Sequence, residues 1–520
     1  MRRIVELWRS LPLRAVWGFT LLLIGAAALA ISIWDEPRQA PEPAGRDFPV
    51  NPGARDEGDI SANNSPALAR NPRTAGNLVV ANRVDSPQYG CGLHVSFDDG
   101  RRWSDTRVPI PKREEPKCFA PDVSFAVDGT MYMSFVTLRG RGNVPHAGWI
   151  VRSQDGGRTL SKPVRVLGPF SFQVRLVADP TKPGRLYLTW LQASSTGLYR
   201  FSEPGNPIRF ARSDDGGTTW RRPVRVSNPV RARALAPAPA VGRDGELYVL
   251  YLDLGEDRLD YEGLHGGRGG PPYRGRFSLV LARSRDGGAT WDESVADDRL
   301  VPTERFLAFL PPFPSIAVDP DSGQVYAGFH DGRLGDADAW VWSLRPGGGN
   351  WEGPVRVNDT PERDQTSQYL PRLAVAPDGR LDVVYYDRRA DPRNLMNEVS
   401  LQSSDDGGKS FGERALLSSQ PFDSRIGAGS ERRMPDLGNR LAMLSGDSEA
   451  FAVWSDTRAG TVASNKQDIA GARVTFRERG PRGAARFGLR YGGLGIALVG
   501  ISLLASSLRL RAMRARRGAG

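Results

Sequence analysis

Between residues 60 and 476 the chain alternates apolar and polar positions with a period of two, in short runs broken by Gly, Asp and Pro, and it carries no long amphipathic helix. Two runs depart from this pattern. Residues 16–34, VWGFTLLLIGAAALAISIW, hold 19 positions without a charge. At 1.5 Å per residue a helix of that length crosses a hydrocarbon core of about 30 Å. Residues 491–508, YGGLGIALVGISLLASSL, are a second uncharged run of 18.

Arg2, Arg3, Arg9 and Arg14 precede the first run and favour a cytoplasmic N-terminus. A cleaved signal peptide would have a shorter apolar region, and no small-x-small site follows before Trp34, so an uncleaved anchor is expected. Arginines lie on both sides of the second run, from Arg477 to Arg490 and from Arg509 to Arg517, so charge alone does not orient it. Two crossings, with both ends cytoplasmic and the body outside, are the simplest arrangement.

The alternating body repeats. Each unit has a first strand closed by a D-P-D-G-like turn, a second apolar strand often ending in Asp, a variable loop, and a third strand running into S-x-D-x-G-x-x-W. First strands fall at 65–72, 122–128, 174–179, 238–244, 314–319 and 372–378, with a looser one near 434–443. The closing box contains Asp98, Asp155, Asp215, Asp286 and Asp406, followed by Trp103, Leu160, Trp220, Trp291 and Phe411. Its physics is structural: Ser and Asp hydrogen-bond the backbone of a tight turn, Gly supplies positive φ, and the aromatic buries in the next strand. Seven such units with four strands each predict an all-β, seven-bladed β-propeller, with six blades as the alternative. The seventh unit ends at Phe476 without an outer strand, whereas Phe48-Pro49-Val50-Asn51 resembles one. The N-terminal residues are therefore expected to close the ring.

The expected layout is a cytoplasmic N-terminus and transmembrane helix (1–34), a Pro-rich stalk with the possible closing strand (35–58), the propeller (59–476), a basic linker (477–490), a second transmembrane helix (491–508) and a basic tail (509–520). Composition, 39% hydrophobic and 25% charged, is that of a folded protein. The net charge of +11 invites a nucleic-acid reading, but residues 477–520 carry ten Arg against one Glu. The body is nearly neutral, so the excess marks membrane flanks rather than a nucleic-acid face. Cys91 and Cys118 are the only cysteines. In an extracytoplasmic body they are expected to form a disulfide; in a cytosol they would be free thiols. Four His without ligand spacing predict no metal, and no cofactor motif is present.

The boxes at Asp98, Asp155, Asp215, Asp286 and Asp406 resemble the Asp-box (BNR) repeats of the sialidase/neuraminidase superfamily over about residues 60–476, and 452–474 resembles the closing blade of bacterial sialidase-like proteins. The resemblance implies a glycan or another anionic surface ligand as partner, with the membrane as support. Exo-sialidases of the family hold the substrate carboxylate with three Arg and use a Tyr nucleophile activated by Glu, with an Asp acid/base. Carried over, this implies Arg175 and Arg372 with one of Arg333, Arg389 or Arg458 as ligands, Tyr261 or Tyr369 as nucleophile, and Glu262 or Asp387 as acid/base. Where the family's first blade has an Arg-Ile-Pro-like motif, this chain has Ser65-Pro66-Ala67-Leu68-Ala69-Arg70. The alternative is a non-catalytic scaffold that binds a protein or envelope component. The oligomeric state is left open.

Strand order places a site on one face. Loops between strands 1 and 2 and between strands 3 and 4 share the Asp-box side; loops between strands 2 and 3 and between blades share the other. The loop at 254–277, with Tyr261 and Glu262, is the longest on that second face. Three Asp-x-Arg steps also end there: Asp331 to Arg333, Asp387 to Arg389, and Asp456 to Arg458. They are either clasps between blades or an arginine-lined mouth. Arg175 and Arg372 lie on innermost strands and are expected to point to the axis, with Tyr369 nearby.

Overall fold

The computed structural model describes residues 13–33, 40–56, 58–195, 203–231, 233–257, 273–303, 312–427, 437–477 and 488–517. The chain forms two compact units, one of residues 41–476 and one of the two terminal segments.

The larger unit is a ring of seven antiparallel sheets. In chain order they are blade 1 (63–105), blade 2 (118–167), blade 3 (171–225), blade 4 (234–300), blade 5 (315–356), blade 6 (368–416, extended by Phe422–Asp423) and blade 7 (442–477, completed by residues 40–49). The first strand of each blade lies innermost. Second strands such as Leu247–Asp253 and Leu381–Asp387 are buried along their whole length, because both faces pack against neighbouring blades.

The ring closes through the N-terminal segment. Ala40–Pro43 and Phe48–Pro49 both pair with Asp468–Arg477, and the Val50 amide donates to Ile469 at 2.7 Å. Asn51 fastens the seam: its amide donates to Asp468 at 2.9 Å, and its oxygen accepts from the Ile469 amide at 2.7 Å. The Lys466 ammonium donates to the carbonyls of Gly53, Ala54 and Asp56, tying down the turn that follows. The unpaired outer edge of the seventh blade is thereby removed.

The five turns between strands 3 and 4 share one hydrogen-bond pattern. Asp215 accepts from the Ser213 hydroxyl at 2.8 Å and the Thr219 amide at 2.9 Å, while the Gly217 amide donates to Ser213. Asp98, Asp155, Asp286 and Asp406 accept from Ser96, Ser153, Ser284 and Ser404 in the same way. The Thr219 hydroxyl and amide hold the Asp215 carboxyl down at about 2. These carboxylates are ionised turn pins.

Cys91, on the third strand of blade 1, is bonded to Cys118, the first residue of the inner strand of blade 2. The bridge crosses one blade junction.

The terminal unit pairs two helices, α1 (Leu13–Ile33) and α2 (Gly493–Arg517), both long and apolar enough to cross a membrane. They run antiparallel: Gly18 lies against Gly500 and Leu504, and Gly25 against Gly493 and Ala497. Small residues at these positions let the backbones approach closely. α2 continues beyond the expected end at residue 508 to Arg517.

Candidate functional site

Five of the inner strands start two to four residues earlier than the alternation indicates, each with a bulge near its start, whereas Ser315–Val318 and Ala442–Ser445 start later than expected. Register shifts lie between Asn64 and Ala67, Phe119 and Asp122, Phe172 and Arg175, Leu235 and Ala238, and Tyr369 and Arg372. In each, one residue turns to positive φ: Ser65, Ala120, Gln173, Ala236 and Leu370. Four of these precede a proline, which has no N–H to give to the ladder. A bulge re-aims the side chains that follow it. The second residue after each is Ala67, Asp122, Arg175, Ala238 or Arg372, and Arg440 stands in the same relation to Gly438, also at positive φ.

Three guanidinium groups and one carboxylate therefore meet near the axis. Arg175 Nε lies 3.2 Å from Asp122, whose carboxylate also accepts from the Leu176 amide at 2.9 Å. Arg440 donates to the Pro66 carbonyl at 3.1 Å and the Pro121 carbonyl at 2.8 Å, reaching blades 1 and 2 from blade 7. Arg372 has no counter-ion within salt-bridge distance among the described residues. Burial, and then the neighbouring Arg175, push its guanidinium down to about 10, with Asp122 opposing. Burial, followed by Arg175, also pulls Arg440 well below its ordinary value.

Two cavities flank this cluster. The larger, about 100 Å³, opens among Tyr89, Phe119, Phe172 and Phe313, with Arg83 and Arg440 as its cationic lining. It lies at the tops of the inner strands, with Tyr89 and Asn143 contributed by loops between strands 2 and 3 and Pro145 by the start of the third strand of blade 2. This is the face opposite the Ser-x-Asp turns. Tyr89 and Phe119 meet edge to face at 5.5 Å, Arg83 stacks on Phe119, and the bond at Cys118 anchors the strand that carries Phe119. Arg83 is paired with Asp85 at 2.7 Å, which leaves Arg440 as the cation without a carboxylate partner in that lining. The smaller cavity, about 20 Å³, is lined by Arg175, Arg372 and Arg440 together with Ser315 and Phe313.

Arg175 and Arg372 thus reach one place. The arginines of the Asp-x-Arg steps do not. Arg333 is bound by Asp331 and Asp297 and stacks on Trp340; Arg389 is bound by Asp387 and Asp359; Arg458 is bound by Asp456 and by Asp47 of the closing segment. Each is a clasp. Asp387 is buried and also accepts from Ser400 at 2.7 Å. Tyr369 is buried between blades 6 and 7, its hydroxyl donating to Asn397 at 2.9 Å, so neither residue faces the axial cavities. Tyr261 and Glu262 lie outside the described residues. Tyrosine–carboxylate pairs do occur, Tyr187 with Asp179 and Tyr251 with Glu293, but on second strands inside a hydrophobic cluster. Burial, then the bonded carboxylate, raises both hydroxyls, as suits structural donors.

Sequence reasoning missed Asp122, Arg440 and the four aromatic residues. The available signal was a charged residue two places after a bulge, which Asp122 shares with Arg175 and Arg372. Among the described residues no group of three His, Cys, Asp or Glu is placed to hold a metal ion.

No family model and no curated protein matches the chain. Solved structures resemble it in fold. A protein of unknown function from Dyadobacter fermentans DSM 18053 is 14% identical over 84% of this chain and 99% of that one, with a TM-score of 0.47. The Hadza microbial sialidase Hz136 is 15% identical over 78% and 74%, with a TM-score of 0.45. A polysaccharide lyase of family PL25, an ulvan lyase, is 12% identical over 85% and 99%, with a TM-score of 0.47.

Proposed function

We propose that this chain is a membrane-anchored, extracytoplasmic propeller of sialidase-like, Asp-box type that binds an anionic glycan in the larger axial cavity. The observation that carries the reading is Arg440, the guanidinium of the larger cavity that has no carboxylate partner among the described residues, set beneath an aromatic mouth of Tyr89, Phe119, Phe172 and Phe313. Aromatic rings accept the apolar faces of a sugar, and a guanidinium matches a carboxylate or sulfate in geometry and charge. Arg440, its Nε and Nη2 fixed on backbone carbonyls, is held rigidly for that contact.

Binding rather than hydrolysis is the favoured activity. Among the described residues no carboxylate lines either cavity, so a tyrosine nucleophile there would lack its base. The anchoring half of the reading rests on α1 and α2. An antiparallel pair of spans puts both arginine-flanked ends on one side, and an oxidised cysteine pair suits a body on the other.

The test is a binding measurement on the full chain in nanodiscs, against sialylated, uronate-bearing, sulfated and neutral oligosaccharides. The reading expects retention of acidic glycans only, with at least a tenfold loss in Arg440→Gln. Equal binding of neutral and acidic glycans, or none, would overturn it. Release of product from a fluorogenic sialoside would reinstate the enzyme.

A further inference from the structure

The smaller cavity raises a question of charge that the glycan reading does not answer. Arg175, Arg372 and Arg440 carry three positive charges at the axis, and among the described residues Asp122 is the carboxylate that opposes the shifts of Arg372 and Arg440. Guanidinium groups keep their protons even when buried, so the excess is not relieved by titration. Burying unbalanced charge is costly unless a counter-ion joins it. The donors are poised for one: Nη1 of Arg175 and Nε of Arg372 are buried and have no hydrogen-bond partner. Charged donors left unpaired in a packed ring call for an explanation. The cavity between them, about 20 Å³, is roughly the room needed by a single water. That is far too little for a sugar carboxylate or a sulfate.

We propose that this chamber is a built site for one monoatomic anion of the halide class, held between Arg175 and Arg372 and closed above by Phe313 and Arg440. Ser315 does not compete for the ion as a negative group, since its hydroxyl oxygen already accepts from the Leu373 amide of blade 6. The bound anion ties blade 3 to blade 6 across the ring, where no strand pairing connects them. It shares Phe313 and Arg440 with the glycan site but occupies the smaller cavity, whereas the glycan uses the larger.

The test uses the full chain in detergent, without glycan, exchanged into sodium gluconate. Bromide or chloride added at constant ionic strength is expected to raise the unfolding midpoint by about 1–2 °C per tenfold in halide once the site is being filled. Isethionate, too large for the chamber, should not. Ala238→Val, which fills the chamber from blade 4 and removes no charge, should abolish the dependence, as should Arg372→Gln if it folds. Crystals of the natural chain in bromide should show an anomalous peak between Arg175 and Arg372. Equal shifts with isethionate, or no peak at saturating bromide, would overturn the proposal. Tyr89→Ala separates the two sites, because it removes a wall of the glycan pocket and should leave the halide response intact.

Discussion

Arg175 and Asp122 face each other at 3.2 Å across the junction of blades 2 and 3, and the same carboxylate accepts the Leu176 amide. Among the described residues Asp122 is the carboxylate paired with this cluster of three arginines. Asp122→Asn should therefore destabilise the ring by about 3 kcal/mol, the usual cost of stripping one partner from a buried pair. The same variant should bind anions more tightly, because the axial excess rises by one charge. Urea unfolding and halide titration of one preparation check both halves; lower stability with unchanged anion affinity would mean that Asp122 acts only on the Leu176 amide.

Arg389 makes a useful contrast. It spans Asp387 and Asp359 on the outer part of the top face and touches neither axial cavity. Arg389→Ala should cost about 2 kcal/mol by leaving the buried Asp387 with weaker partners, and glycan retention should be unchanged. Arg440→Gln should do the reverse, with a modest loss of stability and a large loss of retention. Equal effects of the two variants on binding would mean that the Asp-x-Arg steps line the site after all.

These variants mark where the sequence was readable. Blade number, ring closure by Phe48 to Asn51 and the structural role of Asp98 and its four counterparts followed from repetition, since each copy confirms the others. Arg175 and Arg372 were readable because an inner strand has one side facing the axis. Arg440 was not: its blade opens at Gly438 without the proline that marks four of the other bulges, so its register was hidden. Tyr369 looked like a companion of Arg372, but it is buried in the cluster between blades 6 and 7 with its hydroxyl on Asn397 and lines neither axial cavity, whereas Arg372 lines the smaller one. Spacing counted in a regular strand fails wherever one extra residue is inserted.

Ring closure should depend on pH. Burial raises the Asp468 carboxyl to about 6, despite the bond from Asn51 and the nearby Lys466. Its folded value thus lies above the value of about 4 expected in the unfolded chain. Such a group favours the folded state when protonated, so its contribution is full below pH 4 and is lost as pH rises through 6. Asp468→Asn keeps an acceptor for Asn51 without the charge, and should stabilise the protein by about 2 kcal/mol at pH 7.5. The advantage should vanish near pH 4. Unfolding midpoints across that range, with hydrogen exchange at the Val50 amide, check it; an advantage independent of pH would remove Asp468 as the cause.

The helix pair offers the last test. A Cβ on Gly25 would sit 2.5 Å from the Ala497 nitrogen and 2.6 Å from the Gly493 carbonyl, both backbone atoms that cannot step aside. In lipid no hydrophobic force holds two helices together, so association depends on this close fit. Gly25→Ile should therefore part α1 from α2 while leaving each able to span the membrane. A cysteine pair introduced by Ala28→Cys and Gly493→Cys, at positions that touch, should cross-link readily in nanodiscs. Adding Gly25→Ile should abolish the cross-link without altering the unfolding midpoint of the propeller. If cross-linking persisted, the two spans would be held by something other than the contacts at Gly18, Gly25, Gly493 and Gly500.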